Sequence, residues 1–393
     1  MFYVSRITPP LFAVAVFNLF FSLFLKQIPE EQVLFYVTLV FGFVGLVLLG
    51  AMYQIIPNSQ NRKLSNPQIS YWVLGGTVAS LILFYFHRFE LGSLLLFVSV
   101  ATFYLHGLRN ISNWTPVTVR FIGSSATYLT LSTFFLFLSF NFDLVPFQLA
   151  IHTLTVGAML NAVYGVELAW IPLLLMETLN VRKAQRLFWI KQATTPVFLA
   201  SFLFMNYTAI AVSSLLEFGV SLFFLYLIYG VIANRRMPAP LPPVVRIFLV
   251  AMVFLPFGLA VGTLTAAKPA ALPFTVDLHL NLLVYGFTAF TIFGGIFHLL
   301  PRIVWNWKFA GRTGGRVPAV SELVDEVFAP KFLEYAVPAF LIFLVLDNLN
   351  PPLRAFSSLA YAAVVILFVK VAFVPLIKKL KEVEDGGGEN PRG

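Results

Sequence analysis

The sequence predicts an all-α integral membrane protein of twelve transmembrane helices, arranged as three pseudo-symmetric four-helix units. Three observations lead there. The 393-residue chain is 59% hydrophobic and only 11% charged, more apolar surface than a soluble fold of this length hides. The apolar residues fall in runs of about twenty, the length at which a helix spans a bilayer. One frame also recurs three times: a glycine, a second glycine eight residues on and a proline seven further, at Gly42/Gly50/Pro57, Gly157/Gly165/Pro172 and Gly286/Gly294/Pro301.

Taken in order, the apolar runs place helices at roughly 7–26, 31–56, 70–87, 91–108, 118–140, 145–176, 188–206, 208–232, 245–265, 273–302, 329–347 and 353–377. The frames lie on helices 2, 6 and 10, separated by 115 and 129 residues, or four helices each time. Units of about 1–108, 118–232 and 245–377 would then form a ring about a pseudo-threefold axis, since internal repetition constrains a fold more firmly than propensity does. Glycine is common in membrane helices because it lets backbones approach. Three positions matching at one spacing in three copies exceed that frequency. The longest stretch outside the membrane, 303–328, carries an irregular Gly-Arg-Thr-Gly-Gly-Arg run, and its Ser321 to Glu326 part could start a short interfacial helix. Ala-Pro-Leu-Pro-Pro at 239–243 reads as a stiff linker. The charged tail, 378–393, ends in glycines and reads as disordered.

With no cysteine, disulfides, thiolate metal sites and covalently attached c-type haem are excluded. The net charge of +9 would suggest nucleic acid as a partner until the cations are placed. Alternate loops hold 21 of the 26 Lys and Arg residues, among them Arg182, Lys183, Arg186 and Lys191. The opposite loops hold only Lys26, Arg88, Lys268 and Arg354, and Lys370 sits within the last helix. The positive-inside rule then puts both termini in the cytoplasm, the chain in an inner membrane and lipid around it. Helix 1 serves as its own start signal.

Counted back from the frame prolines, His152 lies twenty residues before Pro172 and His279 twenty-two before Pro301, while the first copy has Phe35 and Val37 at those offsets. Residues two apart on a helix point about 200° from one another, so the two offsets face different clefts of the ring. His279 on helix 10 and His152 on helix 6 can therefore face each other across one shared cleft, each about 9 Å inside the membrane. The other clefts would receive Asn281 with Phe35 and Ala150 with Val37, neither a ligand pair. Two imidazoles converging in an apolar, cysteine-free interior suit the iron of a b-type haem. A lone membrane histidine more often hydrogen-bonds across a helix interface, and that reading stands beside the ligand one. His298 falls about 28 Å further along helix 10 and cannot share a metal with His279. His87 and His106, near helix ends, read as interfacial residues.

The segment HLNLLVYGFTAFTIFGGIFHLLPR, from His279 to Arg302, resembles helix 10 of subunit I of the haem–copper oxidases, in particular the C-type oxidases and bacterial nitric oxide reductases. IHTLTVGAM around His152 is similar to the NnrS-like membrane haem proteins and to the oxidase helix that supplies one copper ligand. The resemblance covers the whole chain in topology and about sixty residues in motif, and it implies the same twelve-helix, threefold fold. It also implies that His279 stands where the high-spin haem ligand stands. Both low-spin ligand positions are lost together, as Asn281 and Phe35. Helix 7 should bring adjacent copper-binding histidines, yet Arg186 to Thr208 contains none. The resemblance therefore implies one haem b per chain, no copper, and His279 and His152 as axial ligands, with His152 alternatively a distal base beside a five-coordinate iron. Arg354, in a loop resembling the propionate-binding region, is the expected propionate partner.

Glu167 on helix 6, Glu217 on helix 8 and Lys370 on helix 12 lie in apolar helices. They read equally as a proton or quinone site and as structural ion pairs or neutral buried acids. The leading functional expectation is a membrane b-type haem protein in electron transfer or in nitric oxide or oxygen handling. A minimal gas reductase at an open haem and a haem-free quinone-binding or transport module are the alternatives. A quinone, an electron-transfer protein and a second copy of the chain remain as partners.

Overall fold

The computed structural model of the protein describes residues 3–237, 239–268, 275–311, 317–325, 327–349 and 353–386. Among them there are twelve long helices and no strand: α1 (Thr8–Leu25), α2 (Pro29–Ser59), α3 (Gln68–Tyr85), α4 (Phe89–Leu108), α5 (Val117–Phe142), α6 (Phe147–Leu175), α7 (Val181–Leu203), α8 (Tyr207–Ala233), α9 (Pro243–Ala267), α10 (Thr275–Lys308), α11 (Phe332–Leu349) and α12 (Arg354–Ala372). Eleven are long and apolar enough to cross a membrane. The exception is α7, whose first half carries Arg182, Lys183, Arg186 and Lys191. The protein is a multi-pass membrane protein with an all-α fold.

The repeated frame has a physical basis in helix packing. Each of its six glycines faces the helix that precedes it in the chain: Gly42 and Gly50 face α1, Gly157 and Gly165 face α5, and Gly286 and Gly294 face α9. A Cβ at any of them would stand no more than 3.2 Å from a neighbouring atom of that helix. The third and fourth helices of each unit, α3 with α4, α7 with α8 and α11 with α12, pack together in turn.

Each frame helix also contains a π-helical stretch at its first glycine: Val37–Gly45 in α2, Thr153–Met159 in α6 and Asn281–Thr288 in α10. A π turn takes about one residue more than an α turn of 3.6 residues. The π stretch ends two or three residues after the first glycine in each copy, and α-helix carries the chain on to the second. The π stretches of α2 and α6 touch each other.

Several boundaries and placements differ from the sequence expectation. α7 begins at Val181, because Asn180 caps it by accepting a hydrogen bond from the Lys183 amide at 3.1 Å. α10 runs through Pro301 to Lys308, and the 321–326 stretch makes only a 3₁₀ turn, Ser321–Leu323. The expected disordered tail is helical in its first part, as α13 (Val374–Gly386), while 387–393 lie outside the described residues. The irregular run at 312–316 and Glu326 likewise lie outside them. Two loop cations are in fact buried: Lys191 is fully buried in an ion pair with Glu217 at 2.6 Å, and Lys26 pairs with Asp347 at 2.5 Å.

Candidate functional site

His279 lies in the α-helical first turns of α10, just before its π stretch, and His152 is the last residue before the π stretch of α6. π turns are frequent at functional sites because the inserted residue re-aims the side chains around it. The His279 ring lies against α9 at Gly262, where any Cβ would overlap the imidazole. Its Nδ1 sits 2.8 Å from the carbonyl oxygen of Gly258, one turn earlier on the same face of α9. A carbonyl only accepts, so Nδ1 carries the proton and Nε2 keeps its lone pair. His152 repeats the arrangement with its own helix: Nδ1–H donates to the Gln148 carbonyl at 2.8 Å. Both rings are half-buried.

Two imidazoles with Nδ1 committed to the backbone and Nε2 basic are chemically suited to axial ligation of a haem iron. Among the described residues no group of three or more His, Cys, Asp and Glu side chains could hold a metal ion. A macrocycle supplies four nitrogens of its own and needs only one or two from the protein. The donor set therefore fits a haem better than a bare metal ion.

The side of His152 that faces α7 is filled by aromatic rings. Phe202 stacks on the imidazole with ring centres 4.0 Å apart, and Phe198 meets it edge-on at 5.9 Å. Helix 7 thus presents phenyl rings where the resemblance leads one to look for copper-binding histidines. Asn281, at the other ligand offset of α10, is fully buried and committed elsewhere. Its side chain accepts from Lys26 Nζ at 2.9 Å and donates to Asp347 Oδ2 at 2.7 Å, while Ser357 donates to Asp347 Oδ1 at 3.0 Å. The ammonium of Lys26 also lies 5.1 Å from the centre of the Phe343 ring. Phe35, at the matching offset of α2, is buried against Tyr36.

The remaining expected site residues are scattered. Glu217 is closed into a structural network with Lys191, Thr194 and Thr195 on α7, the two threonines donating to Oε1 at 2.8 and 2.9 Å. Lys370, in the last turn of α12, is exposed on the protein's own surface, with its ammonium over the Phe328 ring at 4.6 Å. Glu167 is fully buried and lines a separate cavity. The Arg354 side chain lies outside the described residues, and Arg88 and Lys268 are exposed. His298 packs on Trp170 at 4.6 Å and contacts Arg302, far along α10 from His279. His87 is exposed beside Glu31, whereas His106, expected to be interfacial, is buried and bonded to Tyr53 and to the Ser65 carbonyl. Sequence reasoning missed Gly258, Gly262 and Phe202; the four-residue spacing of the two glycines on one helix face was the available signal.

Gly262 offers a direct check on the geometry. Gly262→Ala should displace the His279 ring and lower haem content several-fold while α9 stays helical, because alanine is the better helix former. Haem content equal to that of the unmodified protein would show that the ring is not seated there.

The architecture defines a class: a polytopic helical membrane protein built on the haem–copper oxidase fold. A cryo-EM structure of a heme-copper terminal oxidase dimer superposes with a TM-score of 0.64 over 96% of this chain and 82% of that one, at 12% identity. At this identity the likeness is one of fold. No family model matches the sequence. The chain belongs to the same family as an uncharacterised protein of Aquifex aeolicus (strain VF5), with which it is 52% identical over 370 residues, 94% of this chain and 97% of that one.

Proposed function

We propose that the protein is a single-subunit b-type haem protein of the inner membrane, a divergent relative of the haem–copper oxidases with one haem and no copper, working in electron transfer or in nitric oxide or oxygen handling. The observation that carries this reading is the matched pair of imidazoles, each with Nδ1–H held by a backbone carbonyl and Nε2 free to ligate. A haem bound there supplies one-electron chemistry, and an affinity for small gases if one axial position is open. His279 holds the iron, oriented by the Gly258 carbonyl and seated on Gly262. His152 is the second axial ligand, oriented by Gln148. Arg354, Lys268 and Arg88, at the same end of the helices, are the cations for the propionates, and the loop charges place both termini in the cytoplasm. The Lys26–Asp347–Asn281 cluster supports the loss of a second haem, because it occupies with fixed hydrogen bonds the offset at which that haem's ligand would stand.

A second reading has one observation in its favour. The stacking of His152 on Phe202 at 4.0 Å anchors that ring towards α7, and a ring held back from the iron would act as a distal base in a gas-handling haem or a minimal gas reductase. The absorption spectrum of the purified protein separates both readings from a haem-free quinone-binding or transport module. Carbon monoxide added to the reduced protein separates the two haem readings: slow or weak binding supports two axial histidines, rapid stoichiometric binding supports one.

A further inference from the structure

Where α2, α6 and α10 meet, towards the proline end of the repeats, their side chains line a cavity of about 70 Å³. Its wall is largely apolar and includes Leu48 of α2, Val163 of α6 and Ile292 of α10. Two polar side chains interrupt it. Glu167 is 0% exposed and neither carboxyl oxygen has a hydrogen-bond partner; the Thr291 hydroxyl, 8% exposed, has none either. No Lys, Arg or His lines the cavity. The titratable groups nearest to it are already engaged: Tyr164, one turn before Glu167, shares a hydrogen bond with Ser221 at 2.8 Å, and His298, behind the lining residue Trp170, contacts Arg302.

An ionised carboxylate without a cation or a donor is among the costliest groups to bury, so it takes a proton or acquires partners. Even the neutral acid needs a donor and an acceptor that the protein does not supply. A buried water needs roughly 10–15 Å³ and two or more polar partners; the cavity has the volume, and Glu167 and Thr291 in its lining have the polar atoms. Small-molecule pockets run from about 300 Å³ upward, so a quinone headgroup does not fit.

We propose that this cavity is a hydrated protonation site: it binds water bridged between Thr291 and Glu167, and Glu167 is an un-ionised carboxylic acid that exchanges its proton through that water. The site is independent of the haem. It removes Glu167 from the candidates for quinone binding and leaves it as an internal proton-holding group between the three core helices.

Infrared difference spectroscopy on the reconstituted full-length protein tests this. The unmodified protein should show a protonated-carboxyl stretch above the amide region that is lost in Glu167→Gln and moves to lower frequency in D₂O. Thr291→Val should shift the same band upward by weakening the water bridge, and Glu167→Asp should move it rather than abolish it, which serves if the glutamine variant does not fold. Carboxylate bands in place of the acid stretch, an acid band unmoved by D₂O, or one indifferent to Thr291→Val would each overturn the proposal.

Discussion

His279→Ala is expected to yield protein without haem, whereas His298→Ala should keep one haem per chain. The two residues share one helix and one side-chain chemistry, and differ in where that chemistry is placed. His279 has Nδ1–H held by Gly258 and its ring seated on Gly262, so Nε2 keeps its lone pair. His298, about 28 Å further along the helix, packs on Trp170 and contacts Arg302 at the opposite end of the bundle. Haem per chain, measured as the pyridine complex, reads the difference. Comparable loss in both variants would mean that structural and ligating histidines have been confused.

The second large effect concerns His152. If it completes a six-coordinate iron, the reduced unmodified protein should give sharp low-spin bands and bind carbon monoxide poorly, because an incoming ligand must first displace an imidazole. His152→Ala should then bind carbon monoxide readily, with His279 retaining the haem. The helix should tolerate the change, since alanine favours helix and the ring bonds only the backbone of its own preceding turn. If the unmodified protein binds carbon monoxide as fast as the variant, His152 is a distal base and the protein handles gas at an open iron.

Much of the fold was legible because hydrophobic length and repetition are local properties of a sequence. The twelve long helices overlap the apolar runs, and three of them carry the Gly/Gly/Pro frame, although α7 begins at Val181 and α10 runs on to Lys308. The π stretches are invisible to a reading that assumes 3.6 residues per turn throughout. The charges misled where a partner lies far along the chain. Lys26 meets Asp347 across 321 positions, and no local pattern distinguishes such a lysine from one in a loop. Lys191 looked like one more cation of a basic stretch, but an earlier start to α7 carries it inward to Glu217, where two threonines complete the acceptor's partners. At the candidate site, the offsets single out the two histidines as candidates. Their hydrogen bonds were beyond reach, because these depend on which carbonyl of α9 or α6 each ring meets.

The central claim is a single haem held by His279 and His152. Quantifying haem, iron and copper together in the purified full-length protein tests it most directly. The expected result is about one protohaem and one iron per chain with no stoichiometric copper. Copper at one per chain, two haems, or no haem at all would contradict it.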